Sequence, residues 1–170
     1  MKQIESQLNR LRLHVMSRSW QALLETRRHH ELTLTEGLEL LLQSEEQERD
    51  NKRFERLQKA ARFRYQASVE ELHYDASRGI DKSLISTLAT GDYLAKGESV
   101  LITGATGCGK SFLASALGHQ ACAQGYKVVY YNIQKILLKA KMCRVEGTIL
   151  KFFDSISKAD LLILDRRAHV

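Results

Sequence analysis

The chain has no proline, so no rigid breaker interrupts the long polar stretch from 44 to 64. Its three cysteines, Cys108, Cys122 and Cys143, are odd in number and match neither a disulfide framework nor the paired spacing of a zinc site. They read as reduced thiols. Cys108 lies beside Lys110 at a predicted helix start, where a thiol can be acidified, but filling a tolerant loop position is the simpler role. No apolar run approaches the roughly 18 residues that would span a bilayer. Lys2, Glu5, Arg10 and Arg12 near the N-terminus also leave no apolar centre for a secretory signal. The expectation is a soluble, cytoplasmic protein without membrane contact. His29 and His30 are adjacent and would point to different parts of a helix surface, unlike metal ligands one turn apart.

What is present supports a packed core. With 170 residues and 44% hydrophobic content, the chain suits a small domain attached to part of a larger one. A formal charge of +6 makes an acidic partner plausible, because clustered lysine and arginine neutralise phosphates. Net charge alone does not identify one.

Apolar residues Ile4, Leu8, Leu11, Val15, Trp20, Leu23 and Leu24 recur at helical steps and predict one amphipathic helix over 3–24. Thr33 and Glu36 have the spacing of a capping box, followed by Leu34, Leu38, Leu41 and Leu42. The helix begun there either runs on through the charged segment or breaks once near Ser44. Gly79, Gly91 and Gly97 punctuate a weaker pattern, with a short helix expected over 81–89. Strands are then expected over 99–103, 127–132 and 161–164. Helices are expected from the glycine loop to about 124, where Gly125 stops the first, and over 133–143 and 148–158. Alternating strands and helices predict a parallel α/β sheet. The domains expected are a helical N-terminal domain over 1–64, a connector over 65–97 and a partial α/β domain over 98–170.

The run Gly104-Ala105-Thr106-Gly107-Cys108-Gly109-Lys110-Ser111 completes the pattern G-x-x-x-x-G-K-[ST], with a predicted strand before it and a helix after. Its glycines allow backbone conformations closed to other residues, so successive N–H groups converge on phosphate oxygens. Lys110 is expected to reach the β- and γ-phosphates of ATP and Ser111 to offer its hydroxyl to Mg2+. The helix carrying them on through Phe112 adds its positive N-terminal dipole. Leu161-Leu162-Ile163-Leu164-Asp165 reads as a strand buried on both faces that ends in a magnesium carboxylate, Asp165. By itself such a run is more often a plain core strand; downstream of a P-loop in an α/β pattern it reads as the magnesium strand.

Arg49, Lys52, Arg53, Arg56 and Lys59 share one face of a predicted helix, with Phe54, Leu57 and Ala61 on another. Two roles fit the basic face. It is either a DNA contact or, since Glu45, Glu46, Glu48, Asp50 and Glu55 interleave with it, an ordinary solvated surface.

The P-loop followed by Phe112-Leu113-Ala114, Ala116-Leu117-Gly118 and Gly125-Tyr126-Lys127-Val128 resembles the IstB family of insertion-sequence ATPases, AAA+ relatives of the DnaC-type helicase loaders. Leu11-Arg12-Leu13-His14-Val15-Met16 and Ala60-Ala61-Arg62-Phe63 are similar to that family too. The resemblance implies a P-loop α/β domain behind a helical one, and a role in helping a transposase engage target DNA. A helicase loader is the alternative it leaves open.

On that resemblance the magnesium aspartate is normally followed by a second acid that orients the attacking water, and here Arg166 follows it. A guanidinium cannot accept that proton. The resemblance also implies a strand between 99–103 and 161–164, then sensor residues and an arginine finger, none of which follows Arg166. The expectation is therefore a C-terminally truncated IstB-like chain, with a tail from a shifted reading frame. It is expected to hold nucleotide without working as an ATPase or assembling as its relatives do. An inactive remnant is a further alternative, and a small-molecule kinase would need an arginine-rich lid that the chain does not offer.

Overall fold

The protein is described by a computed structural model covering residues 2–74 and 79–166. The expected frame-shifted tail after Arg166 lies outside the described residues. Two compact units divide the chain, Met1–Arg53 and Phe54–Val170, and the division falls inside a long helix.

In the first unit, α1 (Lys2–Arg10) and α2 (His14–Glu25) replace the single helix expected over 3–24. The break falls at Arg12, whose φ of 59° is left-handed, and the Leu13 N–H donates back to the Leu8 carbonyl at 2.9 Å. A non-glycine residue in that conformation costs about 1–2 kcal/mol. The turn lets Leu8, Leu13 and Trp20 gather around buried Met16, Leu23 and Leu41. Each fully buried aliphatic side chain contributes about 1.5–3 kcal/mol, so packing outweighs the local strain.

α3 (Leu34–Ala61) passes through Ser44 without a break. Its start is the capping box expected: the Thr33 N–H donates to Glu36 Oε2 at 2.8 Å, and the Glu36 N–H donates to Thr33 Oγ1 at 3.3 Å. Of the leucines that follow, Leu41 is buried, whereas Leu34, Leu38 and Leu42 are exposed.

α2 has no side-chain cap from its own N-cap residue, Leu13. Glu45 of α3 supplies one from a distance, its Oε2 accepting from the Val15 N–H at 3.0 Å and the Met16 N–H at 3.2 Å. Arg49 donates to the other carboxylate oxygen at 3.2 Å. Burial pushes the Glu45 carboxyl up, but the bonds from Met16, Val15 and Arg49 outweigh it and hold the group below the ordinary glutamate value. A carboxyl depressed on folding stabilises the native state above its unfolded pKa, and that contribution disappears as pH falls through the folded value. Thermal melts followed by circular dichroism should show this helical unit losing stability below about pH 4.3. Glu45→Gln should cost about 1–2 kcal/mol at neutral pH and flatten that acid response. An unchanged acid response in the variant would remove Glu45 from this role.

The second unit begins with the last turns of α3 and contains α4 (Lys82–Ala89), α5 (Asp92–Ala95) and α6 (Lys110–Ala123). After these come β1 (Val128–Asn132), α7 (Ile133–Val145), α8 (Ile149–Ser157) and β2 (Leu161–Asp165). α4 and α7 start where a side chain satisfies free N–H groups. Asp81 accepts from the Ser83 N–H at 2.8 Å, and Asn132 accepts from the Gln134 N–H at 3.0 Å. β1 and β2 form a parallel pair in which Val128 lies opposite Leu161, Tyr130 opposite Ile163 and Asn132 opposite Asp165. Buried Val128, Ala121, Cys122 and Ala61 form the core, with Phe54, Leu57, Phe63, Leu161 and Ile163 packed against them. Burial pushes the Cys122 thiol up to about 11, consistent with an inert core cysteine.

Two expectations besides the helix over 3–24 are overturned. Residues 99–103 are not a strand, and Leu101 is 87% exposed. A strand exists by its hydrogen-bonded ladder, and the described residues form only the β1–β2 pair, with no partner beside 99–103. Nor is β2 buried on both faces: Leu161 and Ile163 face the core while Leu162 and Leu164 remain 38% and 49% exposed. Alternating burial is what a sheet covered on one face produces. The α/β class with a parallel sheet holds.

Candidate functional site

The expected phosphate loop is an exposed turn leading into α6. Gly104, Gly107 and Gly109 have φ of 152°, 81° and 90°, all on the side of the map that side chains disfavour. At Gly104 a Cβ would also lie 2.9 Å from Cys108 Sγ, so both conformation and space call for glycine there. Ala105 accepts from the Cys108 N–H at 3.4 Å, and Ala105, Thr106 and Cys108 are all exposed. Lys110 curls back over the loop, its ammonium donating to the carbonyls of Gly104 at 2.8 Å and Ala105 at 2.6 Å. Cys108 Sγ is 3.7 Å from the same nitrogen. α6 begins at Lys110, so its positive end opens on the loop.

At the sheet end of the site, Ser111 Oγ lies 3.0 Å from both carboxylate oxygens of Asp165. Those residues are far apart in sequence and come from α6 and β2. One hydroxyl and one carboxylate converging at this distance form a hard-oxygen donor set that suits magnesium. Two neighbours were not legible as site residues. The Tyr130 hydroxyl donates to Asp165 Oδ2 at 2.6 Å, and Arg64 approaches the same oxygen at 4.0 Å. Tyr130 had a faint signal: in this register it lies on the face that carries Asp165, two residues before the position opposite it. Arg64 had none. The Phe112 ring lies 6.2 Å from that of Tyr65.

Arg166 is exposed and directly follows Asp165. Of the basic face, Arg49 pairs with Glu45 at 3.2 Å and Lys52 with Glu48 at 3.1 Å. Arg53, Arg56 and Lys59 are exposed on α3, while Phe54, Leu57 and Ala61 turn into the core. Among the described residues no cluster of His, Cys, Asp or Glu could hold a metal as three or more ligands. The described residues likewise contain no helix long and apolar enough to cross a membrane.

A glycine loop running into a helix, whose first serine meets a carboxylate at the end of a parallel strand, defines the class of P-loop nucleotide-binding folds. The sequence profile of the IstB-like ATP-binding protein family matches residues 6–169. The chain belongs to that family. It is 40% identical to a Pseudomonas fluorescens protein named as the ATP-binding protein of insertion sequence IS1162, over 94% of this chain and 70% of that one. A Sinorhizobium fredii insertion-sequence ATP-binding protein is 31% identical over 93% of this chain and 64% of its own length. The ATP-binding protein of insertion sequence IS21 from Pseudomonas aeruginosa is 29% identical over 100% of this chain and 64% of its own length. The chain thus spans 64–70% of these three relatives.

Proposed function

We propose that this chain is an ATP-binding accessory protein of DNA transposition that holds Mg-ATP at Gly104–Phe112 and Asp165. The observation that carries the reading is the convergence of Ser111 Oγ on both oxygens of Asp165 at 3.0 Å, directly behind the glycine loop. Gly104, Ala105, Thr106, Gly107, Cys108 and Gly109 would wrap the phosphates with backbone N–H groups. Lys110 would exchange the loop carbonyls it now binds for phosphate oxygens. Ser111 and Asp165 would hold the magnesium ion, which neutralises phosphate charge when bound. The names of the insertion-sequence relatives support ATP as the nucleotide and transposition as the setting.

Arg166 supports a further element of the proposal, slow turnover. The residue after Asp165 has no lone pair for the proton of an attacking water, so the site binds better than it hydrolyses. A thermal melt with and without Mg-ATP tests the binding. Ligand at about 100 times its Kd should raise stability by about 2.7 kcal/mol. Absence of any shift would sink the nucleotide reading.

The helical region 1–64, joined through 65–97 to the nucleotide part at 98–170, is proposed to engage DNA or a transposase in the cytoplasm. Arg49, Lys52, Arg53, Arg56 and Lys59, all exposed on α3, are the cations that favour DNA. Replacing Arg53 and Arg56 with glutamate should weaken duplex binding and reduce the slope of log affinity against log salt by about 2, roughly one per lost phosphate contact. Unchanged affinity and slope in an electrophoretic or anisotropy titration would take this face out of the DNA contact.

A further inference from the structure

Asp165 has partners beyond Ser111: one neutral donor and one cation. Its Oδ2 takes the Tyr130 hydroxyl at 2.6 Å and lies 4.0 Å from Arg64. The carboxylate is largely buried, with 12% of its side chain exposed, while the Arg64 side chain is 36% exposed. The arginine is also fixed from behind. Its guanidinium carbon lies 4.8 Å from the centre of the Tyr65 ring, and that ring neighbours Phe112 on α6.

The backbone delivering Arg64 is held just as firmly. Arg62, with φ of 57°, turns the chain sharply out of α3. Phe63 then packs into the core, 4.1 Å from the His119 ring and 6.2 Å from the Tyr130 ring. The segment 62–65 therefore forms a strap from the end of α3 across α6 to the end of β2.

We propose that Arg64 is the resident counter-cation of Asp165 and that magnesium arriving with nucleotide must displace it. This rests on the reading of Ser111 and Asp165 as the metal-holding pair. A guanidinium and a divalent ion compete for one carboxylate, since like charges at such separation repel in a partly desolvated site. The exchange makes Arg64 a positioning residue: it keeps Asp165 directed at Ser111 while metal is absent, and it is released when metal binds. Because Arg64 sits three residues beyond the end of α3, its release reports the state of the nucleotide site to the end of that helix.

Manganese uptake at saturating ADP, followed by the paramagnetic resonance of the free ion, tests this in the whole chain without any turnover. Arg64→Gln removes the charge at a partly exposed position, and Arg64→Lys retains it. The proposal expects Arg64→Gln to bind manganese roughly two- to fivefold more tightly than wild type, the range set by partly exposed ion pairs. Arg64→Lys should stay near the wild-type value. Equal or weaker uptake by Arg64→Gln, or equal tightening in both variants, overturns the competition while leaving the nucleotide site standing. A wild-type chain that binds neither ADP nor manganese instead removes the site reading beneath it.

Discussion

Replacing Lys110 with alanine should reduce ATP affinity by roughly 10- to 100-fold while leaving the nucleotide-free protein as stable as before. Among the described residues the ammonium hydrogen-bonds to the Gly104 and Ala105 carbonyls and Cys108 Sγ, all within the loop itself. Removing it costs exposed loop contacts and no core packing, so the change in folding stability should stay within about 0.5 kcal/mol. With nucleotide bound the same ammonium would face phosphate oxygens, and a hydrogen bond to a charged group is worth about 1.5–3 kcal/mol. At about 1.4 kcal/mol per tenfold, that loss sets the expected range. Calorimetric titration of both proteins, together with a melt of each without ligand, checks the two halves separately. Equal affinity would show that Lys110 does not reach the nucleotide.

Gly118→Ala should have the opposite profile, a folding defect without a direct effect on ligand contacts. Gly118 lies in the buried stretch of α6, where a Cβ would meet Phe63 Cε1 at 2.4 Å and Ile163 Cδ1 at 2.8 Å. Alanine is ordinarily the better helix former by about 1 kcal/mol. Here it must push apart the Phe63 ring and β2, and overpacking of this kind costs about 1–3 kcal/mol. The clash should win, giving a lower urea midpoint with an unchanged slope. A stabilised Gly118→Ala protein would mean that Phe63 and Ile163 do not meet α6 there. The strap through Phe63 and Arg64 would then lose its anchor.

Local chemistry was the part of this molecule most legible in the sequence. The glycine loop, the helix after it, the two strands and the capping box at Thr33 and Glu36 each declare themselves within a few residues. Long-range features did not. The break at Arg12 has no glycine or proline to announce it, because the leucines and Trp20 that drive it act through packing. Glu45 sits among interleaved charges that look like solvated surface, yet it caps α2 from about 30 residues away, a distance no periodicity encodes. Residues 99–103 have the composition of a strand, but composition cannot supply the neighbour that a ladder requires. At the candidate site, Ser111 and Asp165 were readable from motif and position, whereas Tyr130 and Arg64 joined them only through the sheet register and the turn after α3.

Calorimetric titration of the protein with Mg-ATP, beside a phosphate-release assay on the same preparation, tests the central claim most directly. Saturable binding of one nucleotide per chain is expected, with phosphate release indistinguishable from the buffer control. Absence of binding, or nucleotide-dependent phosphate release above the buffer control, would contradict it.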